Sequence, residues 1–236
     1  MANTEKLGKK EETITLENEN SVKNFFQNNQ KVIYGVLIGI LVVIAVCLAL
    51  YKFYFTPRAE RAAEAMYGTL NAVCVNGVLA NDSLTLTKAL EGDEEIDGFL
   101  SVIDGYSGTK AANTAKYWAG LCYLALDKKE DAVEMLQGFK KKEDLMWYRA
   151  QLLLGDLADE QGDVETAKKY YNSAIKGETS SVAPEALWKL GMLAEREGNW
   201  TEAFDRYQTI KDNYEVRYEQ MGVDKYYERA KMNAGK

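Results

Sequence analysis

The chain has 236 residues, contains no histidine and carries a formal net charge of −7. The absence of histidine removes the most common general base, the usual partner of a serine or cysteine nucleophile and the most common metal ligand. The three cysteines also lack the close spacing of zinc or redox motifs. Composition therefore argues against an enzyme and against a metal or other cofactor.

The negative charge lies after the first 31 residues, because that segment contains five lysines and five glutamates. An acidic domain disfavours nucleic acid as its partner. Two prolines, Pro57 and Pro184, suit an all-α chain. We expect Cys74 and Cys122 to be buried thiols. The alternative, if the domain is extracytoplasmic, is a disulfide between them.

Residues 1–20 are polar and charged, and they are predicted to be disordered. Residues 21–31 place Val22, Phe25 and Phe26 on one side of a helix. This spacing predicts a short juxtamembrane helix. The alternative is that the phenylalanines simply sit at the level of the lipid headgroups.

A stretch of twenty uncharged residues runs from Val32 to Tyr51 and is bracketed by Lys31 and Lys52. As a helix it is about 30 Å long, which matches the hydrocarbon core of a bilayer. We interpret it as a single transmembrane helix that is retained, because it is too long for a cleaved signal peptide. The lysines and arginines near its two ends do not determine its orientation.

Gly35 and Gly39 are one helical turn apart within this stretch. Two glycines at this spacing open a notch where a second helix can approach closely. We therefore predict a transmembrane helix contact at Gly35 and Gly39. The alternative is that glycine is simply frequent in membrane helices.

Residues 57–106 are interpreted as a divergent first helical unit. Pro57 begins an alanine-rich stretch that predicts a helix through Ala80. A short apolar segment, an acidic turn over residues 91–98 and a second short helix over residues 99–106 follow.

Three segments after residue 112 repeat one pattern. Each contains a glycine, an alanine twelve residues later, and a bulky residue four residues beyond the alanine. The three sets are Gly120, Ala132 and Leu136; Gly155, Ala167 and Tyr171; and Gly191, Ala203 and Tyr207. The small residues allow the two helices of a pair to pack closely, and the bulky residue is expected to fill the seam to the next pair.

The glycines are 35 and then 36 residues apart, close to the tetratricopeptide period of about 34. The tryptophan of that consensus is absent, because its positions hold Lys116, Gln151 and Leu187. The sequence nevertheless predicts an all-α tetratricopeptide-like solenoid over residues 57–236. Its repeats are placed at about residues 113–147, 148–183 and 184–212, with a terminal helix over residues 213–236.

In such a solenoid, the first helix of each repeat lines a concave groove. The groove positions lie three residues before, one after and four after each glycine. They are Tyr117, Leu121 and Leu124; Leu152, Asp156 and Asp159; and Trp188, Met192 and Glu195. Their aromatic and methionine side chains suit a protein partner, while the alternative is that several of them pack between neighbouring helices. The Leu, Asp and Met that follow the glycines do not match the clamp that grips a carboxylate-terminated chaperone tail.

Residues 16–39 resemble the YfgM-like ancillary subunits of the Sec translocon, and residues 98–126 resemble the Bacteroidetes-type version of that family. The matching positions are Glu17–Asn20, Val22, Lys23, Phe25, Phe26, Lys31, Gly35 and Gly39. The resemblance implies a bacterial inner-membrane protein with a cytoplasmic N-terminus and a periplasmic repeat domain. It also implies association with the SecYEG channel, a PpiD-like membrane chaperone, and secretory or outer-membrane client proteins. It supplies no catalytic residue. The alternative function is a scaffold for envelope or secretion-system assembly unrelated to SecYEG.

Overall fold

The computed structural model describes residues 27–75, 78–80, 82–140, 144–177 and 181–236. The chain divides into two compact units, Met1–Pro57 and Arg58–Lys236. The predicted disordered arm, residues 1–20, and most of the predicted juxtamembrane helix lie outside the described residues.

In the first unit, helix α1 (Gln30–Leu50) is followed by a π-helical turn, Tyr51–Phe55. No residue of α1 is buried within the protein. The helical run from Gln30 to Val73 is the one run in the described residues that is long and apolar enough to cross a membrane. The fold class is therefore all-α, as predicted. An apolar helix that could span a membrane precedes an almost entirely helical domain.

The second unit begins within α2 (Thr56–Val73) and continues with two antiparallel strands (β1, Cys74–Val75; β2, Val78–Leu79), α3 (Ser83–Glu91) and α4 (Phe99–Gly105). Its core contains Phe99 and Val102, both fully buried. The helix predicted through Ala80 is wrong after Val73, where the antiparallel strands begin. β-Branched valines favour strands, and Asn-Gly separates the two strands in the sequence, a pair typical of hairpin connections.

Three pairs of helices follow. Repeat 1 contains α5 (Lys110–Ala125) and α6 (Lys129–Gly138), repeat 2 contains α7 (Leu145–Glu160) and α8 (Val164–Ile175), and repeat 3 contains α9 (Ala183–Arg196) and α10 (Trp200–Asn213). Four helices are capped by a side chain that accepts a backbone N–H three residues later, at 2.8 to 3.3 Å. These capping residues are Asp82, Thr109, Asp163 and Asn199. The polar residue before each of these four helices thus determines where that helix begins.

The turn within each repeat has the same geometry. Its second residue, Asp127, Gly162 or Gly198, has a positive φ of 57°, 78° or 75°. The next residue donates its backbone N–H to the carbonyl five residues earlier, at 2.8 to 2.9 Å in all three repeats. Repeat 1 is the one that uses a residue other than glycine at this left-handed position.

The bulky residue of each repeat packs against the glycine of the same repeat, whereas the sequence predicts only that it fills the seam to the next pair. The three alanines are fully buried, and a Cβ added to Gly155 would lie 2.5 Å from Cδ1 of Tyr171. The ring of Tyr171 therefore lies on the glycine of its own repeat. It also shares an apolar cluster with Ala186 and Leu190 of repeat 3.

The last segment forms two helices, α11 (Glu215–Met221) and α12 (Asp224–Asn233). The single terminal helix predicted over residues 213–236 is therefore wrong. Gly222 lies between the two helices and adopts a left-handed conformation with φ of 61°, which ends α11.

Candidate protein-binding surface

The nine predicted groove positions do not all face solvent. Tyr117 and Leu152 are 5% and 3% exposed. Tyr117 contacts the rings of Trp118 and Phe139, each with a centroid separation of 5.6 Å. These two positions belong to the core, so their assignment to an open groove is corrected. The other seven, Leu121, Leu124, Asp156, Asp159, Trp188, Met192 and Glu195, are partly exposed.

Three of these residues line one shallow depression of about 430 Å³, which we call the groove depression. They are Leu124 of α5 and Asp156 and Asp159 of α7. Its remaining walls come from residues that are not among the nine predicted groove positions: Leu153, Leu157, Glu160, Lys189 and Arg196. Leucines thus supply an apolar floor, and charged groups surround it.

Ion pairs join consecutive repeats across this depression. Nζ of Lys189 lies 2.8 Å from Oδ1 of Asp156, and Arg196 pairs with Asp159. Asp156 also accepts a hydrogen bond of 2.7 Å from the hydroxyl of Tyr171. Burial and this hydrogen bond raise the pKa of Tyr171. Repeat 3 therefore neutralises Asp156 and Asp159, and Lys129 of repeat 1 pairs with Glu160 at 3.1 Å. The surface presents paired charges rather than a free negative patch.

Family comparisons agree with this geometry. Residues 114–143 match one family model described as a tetratricopeptide repeat, and residues 152–215 match another with the same description. These segments are tetratricopeptide repeats. No curated protein matches the chain. Tetratricopeptide repeats indicate a role in protein–protein interaction, and the groove depression is lined by residues of both matched segments.

At tetratricopeptide repeat 3, α12 covers two of the predicted groove residues. The ring of Trp188 packs edge-on against Tyr226 at 5.5 Å. Arg229 pairs with Glu195, whose side chain is only 11% exposed. The spacing within the tetratricopeptide repeats could not reveal this cover, because α12 follows the last repeat and its contacts are long-range.

Three buried polar atoms lie in this covered region without a hydrogen-bond partner among the described residues: Nε1 of Trp188, Oε1 of Glu195 and the hydroxyl of Tyr207. Burial and the neighbouring Glu195 carboxylate raise the pKa of Tyr207. The tyrosine hydroxyl therefore stays protonated. Unlike Tyr171 of tetratricopeptide repeat 2, it has no close aspartate acceptor.

Gly35 and Gly39 lie outside the tetratricopeptide domain, on α1. A Cβ on either glycine would meet no atom within 4 Å in the structure. The predicted notch is therefore open in α1, and the contact proposed for it remains a prediction.

The three cysteines are free thiols. Cys122 is fully buried in the first apolar cluster, and Cys74 packs against the same cluster. Burial and the nearby Cys74 raise the pKa of Cys122 to about 12. Within the described ranges, no group of three or more metal-ligating side chains could hold an ion.

Proposed function

We propose that this protein is a non-enzymatic, membrane-anchored tetratricopeptide protein that binds protein partners beside the membrane. One combination carries the proposal: α1 is apolar and exposed along its length, and the tetratricopeptide domain has a groove depression with a leucine floor and a charged rim. Anchoring raises the local concentration of the domain, so weak contacts in the depression suffice for binding.

We further propose that the protein is an ancillary subunit of the Sec translocon in a bacterial inner membrane. The support is the resemblance over residues 16–39, which includes Phe25, Phe26, Gly35 and Gly39. In this proposal the N-terminus is cytoplasmic and the tetratricopeptide domain is periplasmic. Its partners are the SecYEG channel, a PpiD-like membrane chaperone, and secretory or outer-membrane client proteins.

Protease treatment of intact spheroplasts tests the orientation. Under the proposal, added protease digests the tetratricopeptide domain without prior lysis. Full protection of this domain in intact spheroplasts, together with digestion after lysis, would contradict a periplasmic location.

Site-specific photo-crosslinking tests the partner. Val42 lies on the same side of α1 as Gly35 and Gly39, whereas Leu37 lies on the opposite side. A photo-reactive residue at Val42 is expected to give adducts with a channel or chaperone helix, and one at Leu37 is expected to give few. The absence of Sec components from the Val42 adducts would count against the translocon proposal. A native pull-down from detergent that recovered envelope or secretion-system components instead would support the scaffold alternative.

A further inference from the structure

Two pockets adjoin each other at the end of α6: the first lies against α5 and the turn that precedes it, and the second lies between repeat 1 and repeat 2. The first, which we call the basic pocket, has a volume of about 520 Å³, and its walls include Lys110, Asn113, Lys116, Gly138 and Lys140. The second, which we call the aromatic pocket, has a volume of about 610 Å³. Its walls include Phe139, Trp147, Gln151, Leu154 and Tyr170. Lys140 lines both pockets, so the two meet at this residue.

Both pockets lie at positions where the tetratricopeptide consensus has a tryptophan. This position is four residues before the repeat glycine, and it is Lys116 in repeat 1, Gln151 in repeat 2 and Leu187 in repeat 3. Leu187 is 3% exposed and packs into the core, whereas Lys116 and Gln151 line the basic and aromatic pockets. Open space therefore borders this position in repeats 1 and 2 but not in repeat 3.

The aromatic pocket is separate from the groove depression. Its α7 residues, Trp147, Gln151 and Leu154, follow each other at steps of four and three residues and share one side of the helix. The groove depression uses Leu153 and Asp156, which lie on the opposite side of α7. A ligand in the aromatic pocket would leave the groove depression free.

Charge indicates what could occupy these pockets. No carboxylate lines the described walls of either pocket. Among the described residues, the ammonium groups of Lys110, Lys116 and Lys140 form no ion pair, although the chain is acidic overall. Unpaired lysines beside a pocket favour an anionic ligand.

Neighbouring groups hold both pockets in place. The backbone N–H of Lys140 donates a hydrogen bond of 3.0 Å to Oδ1 of Asn113, which fixes its backbone between the pockets. Nε2 of Gln137 donates to the hydroxyl of Tyr170 at 3.0 Å, which orients one aromatic wall. Preformed walls lower the entropy cost of binding.

We propose that these adjoining pockets bind an acidic segment of a partner protein, with one aromatic side chain in the aromatic pocket and adjacent carboxylates at the three lysines. Aromatic side chains bury a large area with few rotatable bonds, which suits an apolar pocket of this size. The carboxylates add charge pairing at the exposed rim, where it contributes chiefly to specificity and association rate. This site is independent of the groove depression used in the proposed function.

A labelled peptide tests the proposal with the full chain in detergent micelles. The probe is Gly-Ser-Asp-Glu-Phe-Asp-Glu-Ser-Gly, followed by fluorescence anisotropy. We expect saturable binding that weakens as salt is added. Replacing the phenylalanine of the peptide by alanine should weaken binding about tenfold, and replacing its acidic residues by amides should weaken it about fivefold.

Variants of the protein locate the binding. Gln151→Trp fills the aromatic pocket and should reduce affinity about tenfold, as should Trp147→Ala, which removes one wall. The double variant Lys110→Gln/Lys140→Gln should weaken binding about fivefold. The matched control is Lys169→Gln/Lys176→Gln, two exposed lysines of repeat 2 outside both pockets, and it should bind like the wild type. Circular dichroism identifies any variant that has lost its fold.

The proposal is overturned if the wild type shows no saturable binding of the probe. It is also overturned if the folded pocket variants bind as the control does. Loss of binding in Leu153→Gln, a groove-depression variant, with unchanged binding in Gln151→Trp and Trp147→Ala would place the peptide in the groove depression instead.

Discussion

The ring of Tyr171 lies against Gly155, and a Cβ on this glycine would come within 2.5 Å of ring atoms Cδ1 and Cε1. Tyr207 has the same relationship to Gly191, and Leu136 to Gly120. The hydroxyl of Tyr171 then reaches Asp156, which pairs with Lys189 of the next repeat. One close contact thus joins the packing inside repeat 2 to the charged surface of the groove depression.

Gly155→Ala should destabilise the tetratricopeptide domain by about 2 kcal/mol, because the added methyl group forces the buried ring of Tyr171 out of position. The matched control is Gly68→Ala on α2, where a Cβ would meet no atom within 4 Å. This control should stabilise its helix by about 0.5 to 1 kcal/mol, because alanine is the better helix former. Denaturant unfolding followed by circular dichroism measures both changes. Equal effects at the two positions would contradict the close-packing role of Gly155.

The turn of repeat 1 offers a stabilising change. Asp127 has a φ of 57°, whereas repeats 2 and 3 have Gly162 and Gly198 at the equivalent position. Asp127→Gly should raise the free energy of unfolding by about 0.5 kcal/mol, because glycine adopts a left-handed conformation without steric cost. The aspartate ion pair with Lys129 is long, at 3.7 Å, and exposed, so its loss should matter little. Gly162→Ala is the opposite change and should destabilise the fold by about 1 kcal/mol. Thermal unfolding compares the two, and a destabilised Asp127→Gly protein would contradict the strain at this turn.

The repeats could be predicted from sequence because their packing depends on local spacing. The step from Gly155 to Ala167 is fixed by the two helices and the short turn between them, so the spacing predicts how the helices pack. The open groove could be predicted only in part, because burial depends on distant elements. Tyr117 is buried by Phe139 of the following segment, and no periodicity within α5 contains that information.

The contact of α12 with repeat 3 could not be predicted from the sequence, and neither could the basic and aromatic pockets. Tyr226 contacts Trp188, which is 38 positions away in the sequence, and local sequence patterns cannot connect residues so far apart. The departures at Lys116 and Gln151 were visible in the sequence as missing tryptophans. Only the structure indicates that they leave space, whereas Leu187 does not.

The contact between α12 and repeat 3 predicts a change in tryptophan exposure. Tyr226→Ala removes the ring that packs against Trp188, so quenching of tryptophan fluorescence by acrylamide should increase. Stability should fall by about 2 to 3 kcal/mol, because a large and partly buried aromatic contact is lost. Glu228→Ala on the exposed side of α12 is the control, and it should change neither quantity. Unchanged quenching in Tyr226→Ala would mean that Trp188 is covered by something other than α12.

The buried thiol of Cys122 predicts a pH dependence. Its pKa is about 12 in the folded protein, against 9.0 for an unperturbed thiol. The folded state therefore binds this proton more tightly than the unfolded state does. Its contribution to stability is complete below pH 9.0 and is lost as the pH rises towards 12.

Measurements of the free energy of unfolding at a series of pH values test this sign. The wild type should lose more stability above pH 9.0 than Cys122→Ala, which lacks the ionising group. Comparing the two removes the contributions of the buried tyrosines, which are common to both proteins. Alkylation at neutral pH gives a second check, because Cys122 should react only after unfolding. Parallel stability profiles and rapid alkylation of native Cys122 would contradict its burial.

The open notch on α1 predicts that its two glycines matter for association and not for folding. A Cβ at Gly35 or Gly39 would touch nothing within 4 Å, so Gly35→Leu/Gly39→Leu should leave membrane insertion and the unfolding of the tetratricopeptide domain unchanged. It should reduce recovery of membrane partners in a detergent pull-down about tenfold, because a second helix can no longer approach closely. Leu37→Ala/Leu41→Ala changes the opposite side of α1 and is expected to retain the partners. Equal recovery with both double variants would show that the glycine face makes no specific contact, and equal loss would mean that association depends on the apolar helix as a whole.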